Sequence, residues 1–312
     1  MSTHPNPFDP SLFKPGAISP EVRAFNEAFI ARASAPPPAD GPPPRPFPPK
    51  PHAPNAVVRK VKGAGREVEV RIVPPASGNP RGAYLHMHGG GLVFGSADQD
   101  DSMLSRIADA TGLASVSVEY RLAPANPYPA AWDDCEAAAV WLAEHGAAEF
   151  GPKLSIGGES AGATLAVPTL LRLRDRHGFT GFHAANLSYG NYDTSGSPSQ
   201  HWNGINKYLI GEDDIARCSD AYCPDVSKRR DPDVSAVYAN LKDMPPALFS
   251  VGTLDPFLDD SLFVYARWIA AGNEAELAIY PGAPHGFNIL GHPHTSAANA
   301  RIDAFLKAKT GG

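Results

Sequence analysis

The stretch Ile156-Gly157-Gly158-Glu159-Ser160-Ala161-Gly162 decides how this chain is read. It fits Gly-x-Ser-x-Gly, the strand-to-helix turn that holds a serine in strained backbone at the top of a parallel sheet. Glycine flanks the serine because a Cβ at either place would press on the strand before the turn or the helix after it. The neighbouring residues agree: Lys153 to Ile156 ends a short buried strand, and Ala161 to His177 has the Ala, Leu and Arg content of a helix. Three specified residues in five do not establish chemistry, so the partners of Ser160 must be found elsewhere.

On either side of this stretch, strands and helices alternate. Ala56 to Lys62 and Arg66 to Val73 are alternating, β-branched segments joined by Gly63-Ala64-Gly65, which predicts an antiparallel hairpin at a sheet edge. Gly82 to His88 is the next strand. A helix is expected at 101–111, ended by Gly112, then a strand at 113–120 and a helix at 130–145. After the serine come strands at 184–189, 247–251 and 276–280, with helices at 259–271 and 295–308. Such alternation predicts an α/β fold with a mostly parallel, eight-stranded sheet and helices on both faces. Residues 191–243 break the rhythm and carry one helical segment near 213–222, which reads as an insertion over one end of the sheet, the end where ligands bind in open α/β sheets. Upstream, Ser19-Pro20-Glu21 is a helix start with serine as N-cap and proline in the first turn, and the proline-dominated residues 36–54 read as an extended linker.

Composition excludes several classes of function. The 312 residues carry a net charge of −6 and 43% hydrophobic residues, which gives no electrostatic reason to expect nucleic acid or anionic lipid as a partner. No apolar run approaches the roughly 18 residues of a membrane span, and Met1 to Pro5 open no basic-then-apolar leader. The cytoplasm is therefore the expected compartment. Cys135, Cys218 and Cys223 are an odd number in a chain too large to need staples, which favours free thiols.

Three further signals surround the serine. His88-Gly89-Gly90-Gly91 follows an apolar strand, where unshielded backbone N–H groups can face a developing oxyanion, with the N–H of Ala161 as a further donor. A phosphate cradle is disfavoured because neither Gly-x-Gly-x-x-Gly nor a Gly-Lys-Ser/Thr ending is present. Asp255 lies just past one buried strand and His285 just past the next. A serine hydroxyl needs a base within hydrogen-bond reach, and the base needs a carboxylate to fix its tautomer. The order Ser160, Asp255, His285 is the one an α/β-hydrolase shows.

Taken together, these residues resemble the hormone-sensitive-lipase-like family of bacterial α/β-hydrolase esterases. The resemblance runs over about 56–310 and is carried by His88 to Gly91, Gly95-Ser96, Glu119 to Pro124, Pro127 to Ala130, Gly158 to Gly162, Asp255-Pro256 and His285-Gly286-Phe287. It implies a carboxylic ester hydrolase for short-to-medium acyl esters, acting through an acyl-enzyme. Ser160, Asp255 and His285 would be the triad and Gly90, Gly91 and Ala161 the oxyanion hole. It also implies that residues 1–55 and the insertion at 191–243 cap a catalytic domain of residues 56–312, that a homodimer is the oligomer to test, and that no cofactor or metal is needed. The expected partner is a small-molecule ester.

The sequence departs from the family in three places: Glu159 where the elbow more often has Asp, Asn126 in place of an acidic residue, and Gly190 in place of a proline. Pro168 should kink the helix after Ser160. Arg121 reads as a structural ion-pair partner, and His88 as ordering the glycine loop. His86 with His88, and His292 with His294, lack the acidic or cysteine set that would make them metal ligands. Leu92, Phe94, Tyr189, Tyr192 and Phe257 are expected to line an acyl pocket. Two alternatives stay open: an acyltransferase or amidase using the same triad, and a ligand-binding module without turnover.

Overall fold

A computed structural model describes residues 8–33, 52–201 and 208–311. Most of the proline-rich stretch at 36–54 lies outside the described residues. Among the described residues eight strands form one sheet: β1 (Val57–Gly63), β2 (Arg66–Val73), β3 (Gly82–Met87), β4 (Ala114–Glu119), β5 (Lys153–Glu159), β6 (Ala184–Ser188), β7 (Ala247–Leu254) and β8 (Ala275–Pro284). Their order is β1-β2-β4-β3-β5-β6-β7-β8, parallel from β4 through β8, with β1 and β2 antiparallel at one edge. The hairpin turns through Ala64 and Gly65, both at positive φ, the two-residue turn whose twist matches that of the flanking strands.

Among the described residues there are seven α-helices: α1 (Pro20–Ala33), α2 (Asp101–Thr111), α3 (Ala130–Glu149), α4 (Ala161–His177), α5 (Glu212–Tyr222) in the insertion, α6 (Leu258–Ala270) and α7 (Thr295–Lys309). α3 packs on α4 and α2 on α7, one pair to each face. Because both faces are covered, the central strands are buried throughout and read as apolar runs rather than alternating ones. Ser19 caps α1 as expected, its Oγ accepting from the N–H of Val22 at 3.2 Å. α4 continues through the buried Pro168 as one helix.

The elbow sits where β5 meets α4, pressed against β3. A Cβ on Gly158 would come within 2.2 Å of the Met87 carbonyl oxygen, and one on Gly162 within 1.8 Å of the same atom. Glycine at these two positions lets α4 pack directly on the neighbouring strand. The insertion is fastened below by Arg172 of α4, which bonds Asp233 of the insertion and Asp133 and Glu136 of α3. The indole of Trp132 and the hydroxyl of Tyr128 also donate to Asp233. α1 lies elsewhere, on the β8 side, where Asn26 donates to Gly282 and Phe25 meets His292 edge-on.

Candidate active site

The backbone prepares the nucleophile first. Ser160 is the N-cap of α4 at φ +56° and ψ −118°, a conformation that costs an L-residue energy and throws its side chain out of the turn. Its N–H donates to the Ser188 carbonyl on β6 at 2.9 Å, which ties the elbow to the neighbouring strand. From there the Oγ–H reaches His285 Nε2 at 2.8 Å, and His285 Nδ1–H reaches both oxygens of Asp255 at 3.1 and 3.0 Å. Three side chains from the ends of β5, β7 and β8 thus form one line of hydrogen bonds. Asp255 is fully buried and His285 nearly so, so the carboxylate faces the imidazole through low-dielectric surroundings, where such a bond is strong. Asp255 also accepts from the N–H of Phe257 at 2.9 Å, which fixes the carboxylate itself.

The glycine loop is held beside this line. His88 is buried, stacks on Tyr120 with centroids 4.0 Å apart, and bonds the Gly89 carbonyl from Nδ1 at 2.8 Å. Tyr120 donates to the His88 carbonyl at 2.7 Å. Burial pushes the His88 pKa down to about 4, so the ring is neutral and serves as a brace. Gly90 holds φ +127° and Gly91 φ +60°, and a Cβ on Gly90 would meet the Phe94 carbonyl oxygen at 2.0 Å. Gly90, Gly91 and Ala161 line one cavity together with Ser160 and His285. Ala161 is the first residue of α4, so its N–H has no helical acceptor and lies at the positive end of the helix dipole.

That cavity has a volume of about 870 Å³. Leu92, Phe94, Tyr189 and Phe257 line it as the sequence leads one to expect; Tyr192 does not, because its ring is fully buried edge-on against Phe249 in the core. The wall contributed by the insertion comes mainly from α5 (Ile215, Cys218 and Tyr222), with Leu209 and Ile210 before it. Cys218 packs on the glycine loop, its Sγ lying 2.6 Å from where a Cβ of Gly91 would be. Among the described residues of the N-terminal 55, His52 reaches the cavity and residues 8–33 do not.

Other expectations resolve around the site. Arg121 makes a two-pronged ion pair with Asp134. Glu159, beside the nucleophile, accepts from His86 Nε2–H at 2.9 Å, while His86 Nδ1 takes a bond from Ser117 at 3.1 Å. Asp100 completes the one group of metal-capable side chains found among the described residues, yet the close His86–Glu159 bond already occupies two of its donor atoms. The bond of Glu159 to His86, the packing of Cys218 on the glycine loop and the bond between Tyr189 and Asn288 were not legible, since each joins residues far apart in the sequence.

A mostly parallel eight-stranded sheet with a serine elbow, a histidine and an aspartate at the carboxyl ends of its strands defines the α/β-hydrolase class. A family model described as alpha/beta hydrolase fold matches residues 84–289, and the chain belongs to that family, on the hormone-sensitive-lipase-like side its motifs indicate. It is 29% identical over 247 residues to the acetyl esterase of Salmonella paratyphi B, covering 76% of this chain and 74% of that one. Among solved structures, a hyperthermophilic esterase from the archaeon Pyrobaculum calidifontis superposes with a TM-score of 0.76 at 26% identity, over 94% of this chain and 93% of that one. An esterase/lipase from an uncultured bacterium gives 0.77 at 27% identity, over 94% and 100%.

Proposed function

We propose that the protein is a carboxylic ester hydrolase acting through an acyl-enzyme on small-molecule esters. The observation that carries this reading is the 2.8 Å bond from Ser160 Oγ to His285 Nε2, opening into a cavity rimmed by the glycine loop. His285 takes the hydroxyl proton as Ser160 attacks the ester carbonyl, and Asp255 steadies the imidazolium that forms. Backbone N–H groups of Gly90, Gly91 and Ala161 receive the negative charge that builds on the carbonyl oxygen. The imidazolium gives its proton to the departing alcohol, the C–O bond breaks, and the acyl group remains on Ser160. Water then attacks the acyl carbon as His285 removes its proton, the same donors hold the second oxyanion, and the C–Oγ bond breaks as His285 returns the proton to Ser160 and the acid leaves.

Short-to-medium acyl groups fit this reading. The relatives named acetyl esterase support the short end, and apolar walls from Leu92, Phe257 and Ile215 support longer chains. We assign the insertion, α5 above all, as the cap over the site. Three free thiols support a reducing, cytoplasmic setting, and a homodimer is the assembly to test by sedimentation. The experiment for the activity is a series of p-nitrophenyl esters of rising acyl length, run on wild type and Ser160→Ala. Turnover of the short members that vanishes in the variant is the expected result; equal turnover by both proteins overturns the proposal.

A further inference from the structure

His285 is held by more than its carboxylate. The bond from Nδ1 to Asp255 fixes one point of the ring, and a ring fixed at one point can still tilt. Two aromatic side chains restrict that tilt. Tyr189 meets the imidazole with centroids 4.8 Å apart at 67°, and Phe257 does so at 5.2 Å and 77°, both the edge-on geometry that aromatic pairs favour.

Tyr189 is built into its place in a way that Phe257 is not. It follows the last residue of β6 and holds φ at +40°, a conformation a non-glycine residue keeps only where its surroundings impose it. Its N–H donates to the Ser250 carbonyl at 2.8 Å, fixing it to β7. Its hydroxyl, on a side chain 1% exposed, donates to Asn288 Oδ1. Asn288 lies three residues beyond the base, and its carbonyl accepts from Asn299 of α7 at 3.1 Å. Burial holds the Tyr189 phenol well above its usual pKa, so it keeps its proton and donates. The hydroxyl therefore joins the end of β6 to the loop that carries His285, while the ring it steadies bears on the imidazole.

We propose that Tyr189 is a positioning residue for ester hydrolysis, its ring bracing His285 and its hydroxyl locking that ring to the histidine loop through Asn288. The proposal rests on His285 being the base. Positioning of this kind acts on the chemical step and leaves substrate binding alone. Tyr189→Phe, assayed with p-nitrophenyl acetate, lowers kcat about tenfold, the usual scale for one lost hydrogen bond to a positioned group, with KM and melting temperature close to wild type. Tyr189→Leu, which also loses the ring, falls further, and Tyr189→Phe combined with Asn288→Ala costs no more than either change alone. Wild-type kcat in Tyr189→Phe, an effect confined to KM, or additive losses in the double variant would overturn it. Ser160→Ala run alongside separates the two levels: if that variant still turns over, the triad reading fails, and if it is dead while Tyr189→Phe is unimpaired, only the bracing role fails.

Discussion

Ser160 occupies backbone space that few serines use, and the chain supports it from three sides. Its N–H is tied to β6, its Oγ to His285, and the glycines at 158 and 162 remove the side chains that would keep the turn from forming. Removing the hydroxyl takes away the nucleophile and little else. Ser160→Ala is expected to lower kcat by about 10⁶-fold, as for other serine triads, while its urea midpoint stays near wild type. The oxyanion loop gives a separate prediction. In Gly90→Ala the new methyl meets the Phe94 carbonyl oxygen, so the loop has to shift and its N–H leaves the site. A loss in kcat of about a hundredfold or more is expected, the scale for one oxyanion donor, with titratable Ser160 still reacting with a phosphonate. An active Gly90→Ala would mean that this N–H faces something other than the oxyanion. The places of Ser160, Asp255, His285 and the glycine loop were legible because each stands in its own short motif at a strand end, in an order that an α/β-hydrolase shows. The His86–Glu159 and Tyr189–Asn288 bonds were not, since each joins residues 73 and 99 positions apart that no short pattern relates. Tyr192 was misread for the same kind of reason: aromatic residues near strand ends look alike until packing shows which ones face the core.

Among the elements, the insertion depends most on what lies beneath it. Arg172 is 4% exposed and carries its charge into a setting where only carboxylates make it tolerable: Asp233 above, Asp133 and Glu136 beside it. Arg172→Ala takes from the part-buried Asp233 its cation, while Glu136 keeps Arg176 and Asp133 keeps Arg66, and a destabilisation of about 2 kcal/mol is expected in urea unfolding. Combining it with Asp233→Ala should cost less than the sum of the two single changes, because both remove the same contact. Strict additivity would show that the insertion is held by something else. Element boundaries followed the same logic of packing over local signal. α2 fell at its expected residues because Gly112 ends it in a left-handed cap, a signal written in the sequence. α3 ran on to Glu149, past the expected end near His145, because Gly146 is a packing glycine: a Cβ there would come within 2.9 Å of Leu142. β7 and β8 outlast their apolar runs because a bulge at Gly252 and Leu254 carries the pairing on to Pro284, delivering Asp255 and His285 to the same end of the sheet.

For the molecule as a whole, one sheet and its two layers of helices do the organising, and chain order alone nearly fixes them: eight alternating strands leave few right-handed arrangements to choose from. What order alone could not supply was the depth of the site, which depends on how α5 leans over the glycine loop. Burial has a cost that shows in pH. His88 ionises near 4 in the folded protein against the usual histidine value of about 6.5, so the unfolded chain binds more protons between those values. Stability is therefore present in full above pH 6.5 and is lost as pH falls toward 4, by about 3 kcal/mol from this group. Urea unfolding at pH 7 and pH 4.5, run on wild type and His88→Gln, measures it: wild type should lose more stability at the lower pH than the variant does, and an equal change in the two proteins would contradict the buried, neutral ring.

In the proposed hydrolysis an acyl group passes through Ser160. Rapid quenching of a p-nitrophenyl ester reaction, followed by mass spectrometry of the digested protein, tests it most directly. One acyl group on the peptide carrying Ser160, formed in a burst equal to the enzyme and absent in Ser160→Ala, is the predicted result. Full turnover with no adduct, or the acyl group found on another residue such as Cys218, would contradict it.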